Sequence, residues 1–186
     1  MQTALLIIDI QNDYFPGGTM ELVGADAAAR QAALLLAACR IKGIPVIHVQ
    51  HIAPQPEATF FRPDTTGAQI HSSMLPLTDE TVITKHYPNA FRETALPETL
   101  RAASITRLVV VGMMTHMCID STVRAATDLG FDCQVVQDAC ATRDLASGGM
   151  TVPAAAVQTA FMAALDGAFG KVVSAAQVLA ALPKGR

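Results

Sequence analysis

The sequence predicts an α/β domain in which a parallel β-sheet is covered by helices on both faces. Short apolar runs, typical of buried strands, alternate along the chain with longer segments typical of helices. Most of the strand segments are apolar throughout, as expected for parallel strands that are buried on both faces. The length of 186 residues fits a single domain, residues 1–186, and no repeat or linker divides it.

Six strands are predicted from apolar runs that are too short to form the core of a helix. The first covers residues 3–8 and runs into a segment rich in turn-forming residues. The third covers residues 81–84 and ends at Lys85, and the fourth covers residues 107–111 and stops at Gly112. The remaining strands are predicted at residues 45–50, 133–136 and 171–173.

Five helices are predicted from composition and from their start and stop signals. The first, residues 25–40, is rich in Ala and Leu and is followed by Gly43. The last begins at Ser174, with Gln177 three residues later in the pattern of a capping box. The other helices are predicted at residues 97–103, 118–129 and 153–165.

Residues 52–80 contain four prolines and little periodicity, which predicts a long loop. Loops of this length in a compact domain are often functional or form an assembly surface. We therefore expect a homo-oligomer, either a dimer or a tetramer.

The composition excludes several classes of function. The formal net charge is −3 and the isoelectric point is near 5.9, so the chain has no basic footprint for nucleic acid. No apolar run approaches the roughly 20 residues that span a bilayer, and no signal peptide is visible, so we expect a cytoplasmic protein without a membrane partner. Four cysteines without a C-x-x-C pair fit a reducing compartment.

Three chemically reactive residues stand near the carboxyl ends of predicted strands. Asp9 follows the first strand, Lys85 follows the third, and Cys118 comes shortly after the fourth, at the start of a predicted helix. Ligands of open parallel sheets bind at that edge, so the three side chains are expected to converge there. Taken singly, Asp9 and Lys85 also fit solvated loop residues, and Cys118 also fits a small buried apolar side chain.

Together the three residues have the chemistry of a site that attacks a carbonyl group. Unpaired N–H groups and the dipole at the start of a helix favour a thiolate at Cys118, and Lys85 is expected to lower the thiol pKa further. Asp9 supplies an acceptor for the thiol proton and can return that proton to a leaving amine.

The segments around these residues resemble the signatures of the isochorismatase-like hydrolases. The matching segments are Leu5-Leu6-Ile7-Ile8-Asp9-Ile10-Gln11-Asn12-Asp13, Lys85, and Gly112-Met113-Met114-Thr115-His116-Met117-Cys118-Ile119. Their order, spacing and strand context match, and the resemblance covers essentially the whole chain. It implies a single-domain, Rossmann-like three-layer sandwich with a six-stranded parallel sheet, and a catalytic triad of Asp9, Lys85 and Cys118.

The resemblance also implies a reaction through a covalent thioester on Cys118. It further implies a cis peptide bond just before Met114, which would aim the backbone N–H groups of Met114 and Cys118 at the developing oxyanion. The expected activity is hydrolysis of a non-peptide C–N bond, of amide, carbamoyl or hydrazide type, in a small-molecule substrate. No cofactor is expected.

A metal site is not expected either. The related nicotinamidases hold a metal through an Asp-x-His arrangement after the second strand, where this chain has His51-Ile52-Ala53. His48 and His51 are an odd number of residues apart, so a continuing strand points them to opposite faces. We therefore expect a structural role for His48, and the missing ligands disfavour nicotinamide as the substrate.

Gln11, Phe15 and His116 are expected in the walls of a substrate pocket. His116 also invites a cysteine–histidine pair, although Asp9 already fills the role of base. Cys140 is expected just after the fifth strand, at the rim of the site.

Three other functions stay open on the sequence alone. Vinyl-ether hydrolysis, as in isochorismatases proper, needs no cysteine nucleophile, so Cys118 favours C–N cleavage without excluding the ether reaction. A thiol redox sensor would use Cys118 and Cys140. A silent binding or assembly protein would keep the fold, but it has no physical need for all three triad residues.

Overall fold

A six-stranded parallel sheet forms the centre of the chain, of which a computed structural model describes residues 2–182. In chain order the strands are β1 Gln2–Ile8, β2 Val46–His51, β3 Thr81–Lys85, β4 Ile105–Met113, β5 Asp132–Ala141, β6 Leu145–Ser147, β7 Met150–Val152 and β8 Lys171–Val173. The sheet has the order β3-β2-β1-β4-β5-β8, and each neighbouring pair is parallel. The two short strands β6 and β7 form a separate antiparallel hairpin.

Helices cover both faces of this sheet. They are α1 Ala25–Ile41, α2 Leu96–Ala102, α3 Asp120–Asp128, α4 Ala154–Leu165 and α5 Ala175–Ala181. In β1, Leu5 and Ile7 belong to the core cluster that includes α1 and α5, whereas Leu6 and Ile8 belong to the cluster that includes α2, α3 and α4. This burial on two sides is the reason why the strand segments are apolar throughout.

The predicted α/β fold is confirmed for residues 2–182, with a six-stranded parallel sheet covered on both faces. The capping box is also present, since the side chains of Ser174 and Gln177 each accept a hydrogen bond from the other residue's backbone N–H. The ends of the expected domain, residue 1 and residues 183–186, lie outside the described residues. Within the described part, no helix has the length and apolar character needed to cross a membrane.

The fifth strand is longer than the sequence predicts. After Val135 and Val136 the pairing of β5 with β4 is interrupted by an irregularity, and it resumes where Cys140 lies opposite Gly112. Cys140 is therefore a buried residue within β5, and its expected place just after the fifth strand is wrong. The hairpin of β6 and β7 that follows was not predicted.

Two further segments differ from expectation. The helix expected at residues 118–129 begins at Asp120, because Thr115–Ile119 form a π-helical turn that contains Cys118. Residues 52–80, called the long loop below, are irregular as predicted but contain two short 3-10 turns, Thr66–Ala68 and Ser72–Met74.

The carboxyl ends of β1, β3 and β4 lie at one edge of the sheet. β1 and β4 are neighbours, with Ile8 opposite Gly112, and β2 lies between β1 and β3. A Cβ atom on Gly112 would overlap the carbonyl oxygen of Ile8, so only glycine allows this approach. Asp9 comes directly after β1 and has a φ of +52°, in the left-handed region, so the regular strand ends there.

Candidate active site

Lys85 joins Asp9 and Cys118 at this edge of the sheet. Its Nζ atom lies 2.6 Å from Oδ2 of Asp9 and 3.3 Å from Sγ of Cys118. Asp9 and Lys85 are fully buried, and Cys118 is 5% exposed. The structure therefore brings together the three reactive residues that the sequence places near strand ends.

The turn after β4 places the thiol. The Met113–Met114 peptide bond is cis, which confirms what the resemblance implied. The π-helical turn Thr115–Ile119 follows at once, and the Ile119 N–H donates a hydrogen bond to the Met114 carbonyl oxygen. Cys118 thus lies inside a wide turn, two residues before α3 begins.

Burial governs the ionisation of this cluster. Burial raises the pKa of the Asp9 carboxyl above its usual value, although Lys85 and Cys118 oppose the shift. Burial also acts to lower the pKa of Lys85, but Asp9 and Cys118 outweigh it and raise that pKa, so the ammonium form persists. Burial and then Asp9 raise the pKa of the Cys118 thiol, and Lys85 offsets them only in part. The expected net lowering of the thiol pKa is therefore wrong, and the resting residue is a neutral thiol.

A fourth residue, His51, completes the surroundings of Lys85. The Nδ1 atom of His51 lies 2.8 Å from Nζ of Lys85. Burial, together with the charge on Lys85, lowers the pKa of His51 to about 3, so the ring is neutral. Sequence reasoning considered His51 only in relation to a metal. Its position beside Lys85 follows from the register of β2 against β3, which sets His51 opposite Lys85.

Aromatic rings pack beside the cluster. The ring centroids of Tyr14 and Phe61 are 4.6 Å apart, and those of Phe61 and His51 are 5.8 Å apart. Burial, and then the charges of Cys118 and Asp9, raise the pKa of Tyr14 well above its usual value, since its hydroxyl lies near them. Tyr14 and Phe61 are candidate site residues that sequence reasoning missed, because the sequence does not show how the long loop folds back.

Gln11 and Phe15, expected in the pocket walls, contact the long loop. The buried amide of Gln11 exchanges two hydrogen bonds with the backbone of His51 and donates a third to the carbonyl oxygen of Ala68. The Phe15 ring stacks on that of His71, with centroids 3.7 Å apart. Both side chains are therefore buried and held by contacts within the protein.

His116, the third expected wall residue, is half-buried beside the π-helical turn. Its Nδ1 atom lies 2.6 Å from Oγ1 of Thr142, the first residue after β5. Burial, and then the charge of Arg143, lower the pKa of His116. The contact with Thr142 takes the place of the cysteine–histidine pair that the sequence invited, and Lys85 and Asp9 are the groups around the thiol.

The environment of Cys140 disfavours the redox-sensor alternative. Cys118 and Cys140 are both free thiols, and both are buried. Burial raises the pKa of Cys140 to about 12. Redox-sensing cysteines are accessible and have low pKa values, so neither residue has the properties of a sensor.

The cluster of Asp9, His51 and Cys118 does not fit a metal ion while Lys85 is protonated. Asp9, His51 and Cys118 each offer a ligand atom, and these atoms all lie within 4.8 Å of one another. The Lys85 ammonium already contacts all three side chains, and its positive charge repels a cation from the same place. His48 contacts Glu80 instead, with Nε2 3.0 Å from Oε2, as its expected structural role requires.

An α/β fold that holds an acid, an ammonium and a thiol at the carboxyl edge of its sheet defines a class of protein suited to nucleophilic chemistry. The family model of the isochorismatase domain matches residues 3–177, and the chain therefore belongs to the isochorismatase family. The chain is 54% identical over 172 residues to the isochorismatase family protein YddQ of Bacillus subtilis, covering 92% of this chain and 96% of YddQ. A crystal structure of an isochorismatase hydrolase from Oleispira antarctica matches with a TM-score of 0.94 and 52% identity, covering 96% of each chain.

More distant relatives have named activities. Streptothricin hydrolase of Streptomyces noursei is 33% identical, covering 82% of this chain and 55% of that protein. Nicotinamidase of Escherichia coli is 28% identical, covering 74% and 82% respectively. Ureidoacrylate amidohydrolase RutB of Variovorax paradoxus is 27% identical, covering 83% and 73%. The chain is thus a member of a family of hydrolases.

Proposed function

We propose that this protein is a cysteine hydrolase that cleaves a non-peptide C–N bond of a small molecule through a thioester on Cys118. The observation that carries the proposal is the contact of the Lys85 ammonium with both Asp9, at 2.6 Å, and Cys118, at 3.3 Å. A proton acceptor, a cation and a nucleophile in one buried cluster are the parts that acyl transfer needs. Relatives named nicotinamidase and ureidoacrylate amidohydrolase support a C–N bond as the target.

The reaction begins with a proton transfer, because the resting Cys118 is a neutral thiol. Asp9 takes the thiol proton, and its raised pKa makes it a stronger base than an exposed carboxylate. The Lys85 ammonium stabilises the thiolate, which attacks the carbonyl carbon of the substrate. The backbone N–H groups of Met114 and Cys118 are proposed to receive the negative charge that develops on the carbonyl oxygen.

The proton then moves on to the leaving group. Asp9 returns it to the nitrogen, so ammonia or an amine departs and a thioester remains on Cys118. Asp9 next removes a proton from a water molecule that attacks the thioester, and the departing thiolate recovers that proton as the acid product leaves. Because each transfer between Cys118 and Asp9 leaves the net charge of the cluster unchanged, the buried site avoids an added unpaired charge.

The proposed substrate is a small amide, carbamoyl compound or hydrazide. The rings of Tyr14 and Phe61 adjoin the cluster, so a flat or apolar group beside the scissile bond fits this side of the site. Vinyl-ether hydrolysis gives the Cys118 thiol no role, and the contact of that thiol with Lys85 therefore favours C–N cleavage.

The proposal is tested by looking for the acyl-enzyme. The protein is mixed briefly with a panel of small amides, carbamoyl compounds and hydrazides, quenched in acid and analysed by intact-protein mass spectrometry. We expect a mass increase equal to the acyl group, located on the peptide that contains Cys118, together with release of ammonia or an amine.

Two alanine variants make the result specific. Cys118→Ala should abolish both the adduct and the turnover. Cys140→Ala is the matched control, because it removes another buried thiol from the same edge of the sheet and should retain both. Full turnover by Cys118→Ala would overturn the proposal.

We also propose that the protein acts as a homo-oligomer in the reducing cytoplasm. Large apolar side chains stay exposed on the single chain, among them Ile41 at 85% and Met150 at 71%. The nucleophile has to stay reduced to act, and all four cysteines are free. Sedimentation velocity at micromolar protein concentration checks the assembly, and a single monomeric species would contradict it.

A further inference from the structure

The Lys85 ammonium has three N–H groups and three acceptors around it. Two of the acceptors are Oδ2 of Asp9 and Sγ of Cys118, and the third is Nδ1 of His51, 2.8 Å from Nζ. An ammonium group can only donate, so Nδ1 of His51 accepts, and the proton of the neutral ring is on Nε2. The buried ammonium therefore makes hydrogen bonds to His51 and Cys118 and an ion pair with Asp9.

His51 is held in this position from several directions. Its backbone N–H donates to Oε1 of Gln11 at 2.8 Å, and its carbonyl oxygen accepts from Nε2 of Gln11 at 2.9 Å. The parallel pairing of β2 with β3 sets His51 opposite Lys85, and Phe61 packs near the ring. These contacts fix the backbone of His51, and Phe61 lies beside its ring, so a rigid strand presents the imidazole to the ammonium.

We propose that His51 is a positioning residue that satisfies the third N–H of Lys85 and thereby fixes the ammonium between Asp9 and Cys118. The inference rests on the proposed function and adds a fourth residue to its machinery. A buried ammonium N–H without an acceptor costs free energy and favours the neutral amine. A neutral amine gives a thiolate no electrostatic support, so His51 acts on Cys118 through Lys85.

The neutrality of this acceptor matters as much as its position. With Asp9 ionised, Lys85 protonated and Cys118 as a thiol, a neutral His51 gives the cluster a net charge of zero. A carboxylate at position 51 would satisfy the same N–H, but its negative charge would oppose formation of the thiolate. His86 is the further titratable group whose charge acts on His51.

The test measures the thiolate of Cys118 directly and needs no substrate. The protein is reacted with iodoacetamide over a range of pH, and the modified peptide that contains Cys118 is quantified by mass spectrometry. Below the thiol pKa the rate is proportional to the thiolate fraction, so a rise of ~1 unit in that pKa slows the reaction ~10-fold at a given pH.

Three substitutions separate position from charge. His51→Asn places an oxygen near the position of Nδ1, His51→Leu removes the acceptor, and His51→Asp supplies an acceptor with a charge. His86→Leu is the matched control, because it removes a nearby exposed histidine that bonds the carbonyl oxygen of Ile52 and not Lys85.

We expect His51→Asn and His86→Leu to keep the wild-type alkylation profile, and His51→Leu and His51→Asp to react ~10-fold more slowly. A folded His51→Leu variant with the wild-type profile would overturn the inference, as would a His51→Asn variant slowed as far as His51→Leu. If His51→Leu does not fold, the comparison of His51→Asn with His51→Asp tests the inference. Equal alkylation profiles for these two variants would overturn it. The acyl-enzyme experiment with Cys118→Ala is independent, so failure of the proposed function is distinguishable from failure of this inference.

Discussion

The Nζ atom of Lys85 lies 2.6 Å from Oδ2 of Asp9, and both side chains are fully buried. Opposite charges that leave water together lose hydration, and close contact with added hydrogen bonds is needed to compensate for that loss. The ammonium also donates to His51 and Cys118, whereas neither carboxylate oxygen of Asp9 accepts a hydrogen bond from residues 2–182, and Oδ2 has only the ionic contact with Lys85. The Asp9 carboxylate thus retains acceptor capacity, which the proposed transfer of the Cys118 proton requires.

Because Asp9 and Lys85 form a buried ion pair, we expect the free energy of unfolding to depend strongly on the presence of both side chains. Lys85→Met leaves the Asp9 carboxylate buried without a partner, so we expect the free energy of unfolding to fall by about 3–5 kcal/mol. The double variant Asp9→Asn with Lys85→Met removes both charges and should recover most of that loss. Urea denaturation at neutral pH measures the difference.

An exposed cation provides the control for this experiment. Arg101 forms an exposed ion pair with Glu98, so Arg101→Met should change the stability little. A double variant no more stable than Lys85→Met alone would show that the loss comes from packing and not from the uncompensated charge.

The pH dependence of turnover should have an acid limb set by Asp9. Asp9 has to be ionised to accept the thiol proton, and burial raises its pKa above the usual value. Activity should therefore be complete above that pKa and be lost as the pH falls through it, with a midpoint above the usual range of an aspartate carboxyl. The profile of kcat/KM against pH, recorded with a neutral substrate from the amide panel, tests this.

His116 is the alternative residue whose protonation could produce an acid limb in the pH profile. Its pKa is lowered by burial and by Arg143, and it bonds Thr142 rather than the thiol. The midpoint should therefore stay in place in His116→Asn. A midpoint that moves with this substitution would assign the acid limb to the imidazole and contradict the role of Asp9 as base.

The sequence sufficed for the residues whose placement follows from topology alone. Asp9, Lys85 and the turn before Cys118 each follow a strand, and in a parallel sheet the carboxyl ends of strands share one edge. The order of the strands was not needed for this prediction. The contact of Lys85 with His51, by contrast, depends on β2 pairing with β3 in one particular register, which no local pattern specifies.

The other differences have local physical causes. The apolar run of β5 stops at Val136 in the sequence, but the strand continues past polar residues, since an irregularity there restores pairing at Cys140. The raised thiol pKa of Cys118 was missed because charge and helix position can be read from sequence, whereas the degree of burial cannot. The contacts of Gln11 and Phe15 with the long loop were not predicted, because the path of that loop cannot be read from the sequence.

Asp13 should be a main anchor of the long loop. Its buried carboxylate accepts hydrogen bonds from the Phe61 N–H at 2.6 Å, and from the N–H and hydroxyl of Thr19 at 3.3 and 2.9 Å. Asp13→Asn places an NH₂ group against one of these donors, so we expect a loss of about 1–3 kcal/mol in the free energy of unfolding. Chymotrypsin cleavage after Phe60, in the loop, should become faster, because the Asp13 carboxylate holds the N–H of the Phe60–Phe61 peptide bond.

Asp26, exposed in the first turn of α1, is the matched control for this substitution. Asp26→Asn removes the same charge from the surface and should alter neither the urea midpoint nor chymotrypsin cleavage after Phe60 by much. Equal effects of the two substitutions would contradict the anchoring role of Asp13.

Gly112 should be intolerant of even one added methyl group. Its φ is +135°, and a Cβ atom there would overlap the carbonyl oxygen of Ile8 in the neighbouring strand. Gly112→Ala has to separate β4 from β1 directly before the Met113–Met114 bond. We expect a loss of about 3 kcal/mol or more in the free energy of unfolding, from left-handed backbone and overpacking together.

Gly130 separates the two contributions. Its φ is +89°, but no atom lies within 4 Å of an added Cβ, so Gly130→Ala has only the backbone cost of about 1–2 kcal/mol. The difference between the two variants in urea denaturation measures the overlap with Ile8. Acyl-enzyme formation should fail in Gly112→Ala even under conditions where that variant is folded, because the proposed oxyanion donor Met114 moves with the end of β4. Equal stabilities, or acylation of Gly112→Ala at the wild-type rate, would show that the approach of the two strands does not position the site.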